Sequence, residues 1–169
     1  LFSIITAAFA VTTHAATPEL RLLTHSSFGL PKRLLAQFEA DAGVKLSIVK
    51  AGDAGEMLNK LILTRAKPIA DVVYGIDNAL AGKAHAAGVL DAYTGAASNR
   101  AALASLQHGI VPVNYGYVTL NYDRAAFAKS GLPLPKSLED LTQAPYRNLL
   151  VVQNPATSSP GHAFMLATI

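Results

Sequence analysis

The alternation of apolar and polar positions in the first 90 residues predicts strands and helices in turn. Short apolar runs that are typical of strands occupy residues 20–24, 44–49 and 71–75. Between and after them, apolar residues recur at helical spacing, and these helices are predicted to end near Gly43, Pro68 and Gly88. Regular alternation of this kind predicts an α/β fold with a largely parallel sheet that helices cover on both faces.

The pattern after residue 95 is less regular but continues to predict both kinds of element. Ser137, with Asp140 three positions later, resembles a capping box at the start of a helix. The remaining predictions are an Ala-rich helix over 96–106, a β-rich run over 110–122 that Pro112 and Gly116 interrupt, a short helix over 123–130, a stiff linker over 131–135, a buried strand over 148–152 and a final helix after 161.

The first residues have the character of an export signal. Residues 1–11 are uncharged and apolar, and small residues near position 15 allow cleavage after Ala15. The run is shorter than the roughly 20 residues that span a bilayer. We expect residues 1–15 to be a signal peptide without its basic n-region, with a buried terminal strand or helix as the alternative. The last apolar run has no stop signal, and we interpret it as a truncated C-terminus.

Composition and charge indicate the cellular compartment and exclude one class of partner. The chain has no cysteine, so an exported protein of this kind must be stabilised by a sizeable core, which fits a bacterial periplasm. Its net charge of +3 comes from scattered Lys and Arg residues rather than from a basic run. We therefore expect no nucleic-acid partner.

Polar side chains follow two of the predicted strands directly. Asp77 and Asn78 stand where a helix should begin after the third strand, and Ser26 and Ser27 follow the first strand. In open α/β sheets, ligands bind beyond the carboxyl ends of the strands. Asp77 is therefore a candidate helix cap, a candidate counter-ion for a cationic ligand, or both. His25 lies in the same loop, but a lone loop histidine is more often solvated than a ligand.

Three hydroxyl residues precede the final predicted helix, namely Thr157, Ser158 and Ser159. Free N–H groups and the dipole of a helix N-terminus make an anion site there, and Pro160 in the first turn is compatible with a helix. Simple capping by Ser159 is an equal alternative. The loop is not a phosphate-binding P-loop, since it has no Lys and one Gly.

Tyr115 and Tyr117 form an aromatic pair in the β-rich run, and they could stack on a flat or cationic heterocycle or fill the core. Catalytic motifs are absent from the sequence: there is no Gly-x-Ser-x-Gly elbow, no His-Glu-x-x-His pattern and no His pair at metal-ligand spacing. We therefore expect a protein that is not an enzyme, with no catalytic residue, metal or cofactor.

Four segments together resemble a known family: residues 24–28 (THSSF), 70–78 (ADVVYGIDN), 111–117 (VPVNYGY) and 154–161 (NPATSSPG). From about Leu20 to its last residue, the chain is similar to the N-terminal portion of the thiamine-binding periplasmic proteins of ABC importers. This resemblance implies a two-lobed type II periplasmic-binding-protein fold, here incomplete. It implies a first lobe over 16–112, a hinge or crossing over 113–122 and the start of a second lobe over 123–169.

The resemblance also implies a function. A periplasmic monomer of this family captures thiamine or its phosphate esters in a cleft and delivers them to the permease of an ABC importer. The residues that it implies for ligand binding are Ser26, Ser27, Asp77, Asn78, Tyr115, Thr157, Ser158, Ser159 and Gly161. The alternatives are the same fold with ferric ion, a polyamine or a phosphonate as ligand, or an exported hydrolase or transferase.

Overall fold

The computed structural model describes residues 16–99 and 110–169. These residues form a parallel three-stranded sheet with five α-helices, which confirms the predicted α/β class. The elements are β1 (Glu19–Thr24), α1 (Lys32–Ala42), β2 (Lys45–Lys50), α2 (Ala54–Leu63), β3 (Val72–Tyr74), α3 (Asn78–Ala86), α4 (Arg124–Ser130) and α5 (Ser159–Ala167), with short 3₁₀ turns at Ala96–Asn99, Glu139–Thr142 and Ala144–Tyr146. No described helix is both long and apolar enough to cross a membrane.

The central strand of the sheet is β1, which pairs in parallel with β2 on one side and with β3 on the other. Thr24 at its end lies opposite Lys50 of β2 and Tyr74 of β3. Because all three strands run the same way, their carboxyl ends lie together at one edge of the sheet. The three loops that leave the strands therefore begin side by side.

The hydrophobic core of the sheet lies under α2. Leu23 and Met57 are fully buried and pack with Ala51, and the half-buried Val49 and Val73 surround them. Right-handed connections place α1 on the opposite face from α2, given the strand order. No residue of α1 is buried, and two of its large apolar side chains, Leu34 and Phe38, are about two-fifths exposed. The predicted cover on both faces is therefore much denser on the α2 side.

The predicted helix stops at Gly43 and Gly88 and the predicted start at Asp77 are confirmed, whereas the helix predicted to end near Pro68 ends at Leu63. Gly43 and Gly88 follow α1 and α3 with φ of 64° and 63°, the left-handed conformation that glycine adopts most readily. The carboxylates of Asp53, Asp77 and Asp123 accept hydrogen bonds from first-turn amide groups of α2, α3 and α4. Of these three caps, the one at Asp77 was predicted from the sequence.

The capping box predicted at Ser137 forms its two hydrogen bonds. The amide of Asp140 donates to Ser137 Oγ at 3.3 Å, and the amide of Ser137 donates to Asp140 Oδ2 at 3.2 Å. The pair closes a 3₁₀ turn, Glu139–Thr142, rather than an α-helix. The predicted element is therefore shorter and tighter than expected.

Two strand predictions are wrong. Neither residues 110–122 nor residues 148–152 form a strand, and Val151 in the supposedly buried segment is 91% exposed. A strand requires a second backbone segment as its hydrogen-bonding partner, and an apolar run does not indicate where that partner lies. Of the predicted helix over 96–106, Ala96–Asn99 is a 3₁₀ turn, and residues 100–109 lie outside the described residues. The predicted signal peptide over 1–15 also lies outside them.

A bidentate ion pair joins β1 to the residue that precedes β3. The Arg21 guanidinium donates to Asp71 through Nη2 at 2.7 Å and Nε at 3.1 Å, and the Arg21 amide adds a bond of 2.8 Å. Asp71 returns its own amide to the Arg21 carbonyl at 2.9 Å. These bonds to the charged carboxylate lower the pKa of Asp71 from 3.8 to about 2.

We expect Asp71→Asn to lower the melting temperature at neutral pH, with a difference from the wild type that closes in acid. A carboxyl group whose pKa is lower in the folded state stabilises the fold above its unfolded pKa, here near 3.8, and loses that effect as the pH falls through about 2. Thermal unfolding followed by circular dichroism between pH 7 and pH 2 measures the difference. Asp41→Asn, on the exposed side of α1, controls for the loss of one carboxylate. A difference that stays constant down to pH 2 contradicts the assignment.

Candidate functional site

The loops that follow β1, β2 and β3 contact one another at the carboxyl edge of the sheet. The Ser26 amide donates to the Gly52 carbonyl at 2.6 Å, which joins the first loop to the second. Gly75 in the third loop has φ of 120°, and a Cβ there would lie 2.9 Å from His25 Cδ2. Only glycine fits this position, because both its backbone conformation and the contact with His25 exclude a side chain. The edge is thus a single surface built from three loops.

Asp77 caps α3 from this edge. Its Oδ1 accepts a hydrogen bond from the Leu80 amide at 2.8 Å, and its side chain is half-buried. Asn78 is the exposed first residue of the helix, and Ser26 and Ser27 are exposed in the neighbouring loop. The cap uses one acceptor position of a carboxylate that has several, so capping does not prevent Asp77 from binding a ligand.

An aromatic group that the sequence analysis did not identify lies at the same edge of the sheet. The ring of Tyr74 packs edge-on against Phe28, with centroids 5.4 Å apart, and lies 5.9 Å from the ring of His25. Asn114 Nδ2 donates to Tyr74 Oη at 2.8 Å, which brings the segment 110–122 to the sheet edge. The position of Tyr74 as the last residue of a strand was the available signal. No signal in the sequence indicated the contact between Tyr74 and Asn114.

Tyr115 follows Asn114 and is 73% exposed, and Tyr117 is 84% exposed. Their rings meet edge to face at 5.9 Å. Of the two interpretations of this pair, filling of the core is wrong, because neither ring is buried. The rings remain accessible to a ligand, although the structure does not place Tyr115 against Asp77.

The hydroxyl loop, residues 154–159, is held by hydrogen bonds within itself. The Asn154 carbonyl accepts from the Thr157 and Ser158 amides, and Asn154 Oδ1 accepts from the Ala156 amide at 2.9 Å. Ser158 is buried, and its hydroxyl donates to Gln153 Oε1. Ser158, and not Ser159, is the N-cap residue of α5, and no side chain caps the helix there. The predicted capping by Ser159 is therefore wrong.

The hydroxyl loop lies against the first turns of α2 and α3. The Gly55 amide donates to the Thr157 carbonyl at 3.0 Å. A cavity of about 10 Å³, enough for about one water molecule, remains between the two sides. It is lined by Gly55, Leu80, Pro155, Ala156, Thr157, Ser158, Ser159 and His162. The structure thus brings Thr157, Ser158 and Ser159 close to Leu80, whose amide Asp77 caps. The other predicted residues do not line this cavity, namely Ser26, Ser27, Asp77, Asn78, Tyr115 and Gly161.

Gly161 lies behind the hydroxyl loop and is buried. A Cβ at this position would lie 2.4 Å from the Gln153 carbonyl oxygen, so a side chain would displace the start of the loop. Its predicted contribution as a ligand donor stays a prediction, while its packing against Gln153 is observed.

Asp53 is a second carboxylate at this edge that the sequence analysis did not single out. It follows β2, and its Oδ1 accepts from the Ala54 amide at 2.8 Å at the start of α2. The signal was present, since Gly52 and Asp53 follow their strand as Gly75 and Asp77 follow β3. Across residues 16–99 and 110–169, no three acidic or histidine side chains are grouped as metal ligands.

Comparisons with known proteins agree with this architecture. The thiamine-binding periplasmic protein of Salmonella typhimurium (strain LT2) is 31% identical over 157 residues, which are 89% of this chain and 46% of the relative. The protein of that name from Escherichia coli (strain K12) gives the same identity and coverage. The one from Brucella abortus biovar 1 is 29% identical over 156 residues, again 89% and 46% of the two chains.

A solved structure, a periplasmic thiamin binding protein, matches with a TM-score of 0.63 and 29% identity, over 89% of this chain and 48% of its own. The chain spans about half the length of the curated relatives it matches. The structural match confirms the expected fold as part of the type II periplasmic-binding architecture.

The model of the bacterial extracellular solute-binding protein family matches residues 67–169. This range is well over half of the chain, and it contains Asp77, Tyr115 and the hydroxyl loop. The chain therefore belongs to the bacterial extracellular solute-binding protein family.

Proposed function

We propose that this chain is part of a periplasmic protein that captures thiamine or a thiamine phosphate and delivers it to an ABC importer. The observation that carries the proposal is the approach of the hydroxyl loop to the turn of α3 that Asp77 caps. The names of the relatives, at 29–31% identity over most of the chain, supply the ligand.

The chemistry of the two sides fits the two ends of thiamine. Its thiazolium ring carries a permanent positive charge, for which the Asp77 carboxylate is a suitable counter-ion. Its other end carries an alcohol or a phosphate, which suits the hydroxyl loop and the uncapped start of α5. Asn78, Ser26 and Ser27 are proposed as further polar contacts, and Tyr115 as an exposed ring that can stack on the cation.

Binding on this proposal requires the two sides to separate. The cavity of about 10 Å³ is far too small for a molecule of two rings, so the hydroxyl loop must move away from α3 to admit it. Hinge closure around a solute is the established movement of two-lobed binding proteins. Segment 113–122, which has no regular structure, is the proposed hinge, between lobes over 16–112 and 123–169.

The remaining features of the proposal follow from the function of a solute-binding protein. Capture and release break no covalent bond, so the protein needs neither a catalytic residue nor a cofactor. A signal peptide over 1–15 is proposed to direct export to the periplasm. The partner on this proposal is the permease of the importer, which a monomer of the loaded protein meets at the inner membrane.

We expect the native protein, unfolded and refolded to remove bound ligand, to bind thiamine compounds with one-to-one stoichiometry. Titration calorimetry with thiamine and with its mono- and diphosphate measures the affinity, which we expect to be about −8 kcal/mol or more favourable. The ranking of the three ligands identifies the preferred phosphorylation state. A folded protein that gives no binding heat with any of them contradicts the proposed ligand, and ferric ion and polyamines are then the next solutes to titrate.

We expect Asp77→Asn to weaken thiamine binding by about 1–3 kcal/mol, because it removes a charge that faces the cation. Asparagine caps helices about as well as aspartate, so the free energy of unfolding should change by only a few tenths of a kcal/mol. Calorimetry measures the first effect, and urea denaturation measures the second.

Asp123→Asn is the matched control for this substitution. Asp123 caps α4 with the same kind of bond, from the Ala126 amide to Oδ1 at 2.9 Å, and lies outside the candidate site. We expect it to leave thiamine affinity unchanged. Equal affinity of the wild type and Asp77→Asn would show that Asp77 is a helix cap and no more.

A further inference from the structure

The amide of Gly55 makes an unusual contact for its position. It lies in the first turn of α2, where amide groups have no partner within the helix. Here the partner is the carbonyl of Thr157, from the other half of the chain, at 3.0 Å. Gly55 is buried under this contact. A backbone hydrogen bond therefore joins α2 directly to the hydroxyl loop.

The contact depends on the missing side chain at position 55. A Cβ on Gly55 would lie 2.5 Å from the Ala156 carbonyl oxygen and 3.1 Å from Thr157 Cα. Both are backbone atoms, so no rotation of a side chain can relieve the overlap. Because Asn154 bonds the loop to itself through its carbonyl and its side chain, the loop would have to move as one body.

A second glycine supports the hydroxyl loop from its other side. Gly161, in the first turn of α5, leaves room for the Gln153 carbonyl, which a Cβ would approach to 2.4 Å. The loop is thus fitted between Gly55 of α2 and Gly161 of α5. Leu80, whose amide Asp77 caps, lines the cavity on the same side as Gly55.

We infer that Gly55 is a positioning residue for the candidate site, which sets how closely the hydroxyl loop approaches the Asp77-capped turn of α3. It binds no ligand itself and acts through the Thr157 carbonyl. The close approach of the hydroxyl loop to α2, called the closed geometry below, is observed in this contact. The effect of Gly55 on ligand affinity rests on the proposed function. Any side chain at position 55 holds the two sides apart.

Substitution by alanine separates this effect from helix stability. Alanine is a better helix former than glycine, so Gly55→Ala favours α2 itself. A loss of the closed geometry must then come from the overlap with Ala156 and Thr157. Gly82→Ala is the matched control, since Gly82 also lies inside a helix, is exposed, and has no atom within 4 Å of the point that a Cβ would occupy.

Spin labels on α3 and α5 measure the geometry without any ligand. The sequence has no cysteine, so Ala86→Cys and Ala163→Cys, both at exposed positions, provide a single labelled pair. The distance between the labels is measured by electron–electron double resonance. In the native protein, we expect Gly55→Ala to lengthen and broaden the distance distribution, and Gly82→Ala to leave it unchanged. Gly161→Ala disturbs the loop from the other side and should act in the same direction as Gly55→Ala.

Amide exchange in the unsubstituted protein is a further measurement that needs no variant. We expect the Gly55 amide to exchange slowly for a first-turn amide, because the Thr157 carbonyl holds it. Fast exchange at Gly55, or a label distance that neither glycine substitution changes, overturns the inference.

The thiamine titration then distinguishes this inference from the proposed function. The observed closed geometry has no room for thiamine, so only the separated state can admit it. If Gly55→Ala raises the fraction of separated protein about tenfold, the apparent dissociation constant falls about tenfold, and Gly82→Ala leaves it unchanged. Failure of the wild type to bind thiamine rejects the proposed ligand, while the label distances still decide the role of Gly55. Equal affinity of a thiamine-binding wild type and Gly55→Ala overturns the positioning role.

Discussion

The pairing of β1 with a parallel neighbour on each side determines where the candidate groups lie. It brings the ends of three strands to one edge, so that the loops bearing Ser26, Asp53 and Asp77 begin side by side. The fully buried Leu23 of β1 packs on Met57 of α2, which holds the strand against the helix. The bidentate pair of Arg21 and Asp71 fixes the entry of β3. A slip of that strand by one residue would turn its side chains to the opposite face.

Glycines determine how closely the loops approach one another. Gly75 allows the third loop to pack on His25, and Gly55 allows the hydroxyl loop to reach the backbone of α2. At Gly55 the neighbouring atoms belong to the backbone, and at Gly75 the φ of 120° itself favours glycine. The geometry of the edge therefore depends on missing side chains as much as on the carboxylates and hydroxyls that supply its chemistry.

The sequence predicted the first half of the fold well because its signals there are local. Alternation identified β1, β2 and β3, and Gly43 and Gly88 ended their helices without reference to any distant residue. The segments 110–122 and 148–152 carry the same apolar signal but form no strand. Strand formation depends on a partner backbone, and nothing in an apolar run such as that around Val151 specifies one.

The candidate site was predictable in its chemistry and not in its contacts. Asp77 was identified because the end of a strand and the start of a helix are both readable from sequence, and the same reasoning extends to Asp53. For Thr157, the side-chain hydroxyl suggested a ligand donor, yet the observed contact uses its main-chain carbonyl, which every residue type possesses. Gly55 contributes its amide, and its lack of a Cβ leaves room for the loop. Side-chain identity alone therefore indicated neither Gly55 nor Thr157 as a partner in this contact. Three-dimensional proximity of backbone was needed to find this contact, and it is the feature that joins the two halves of the candidate site.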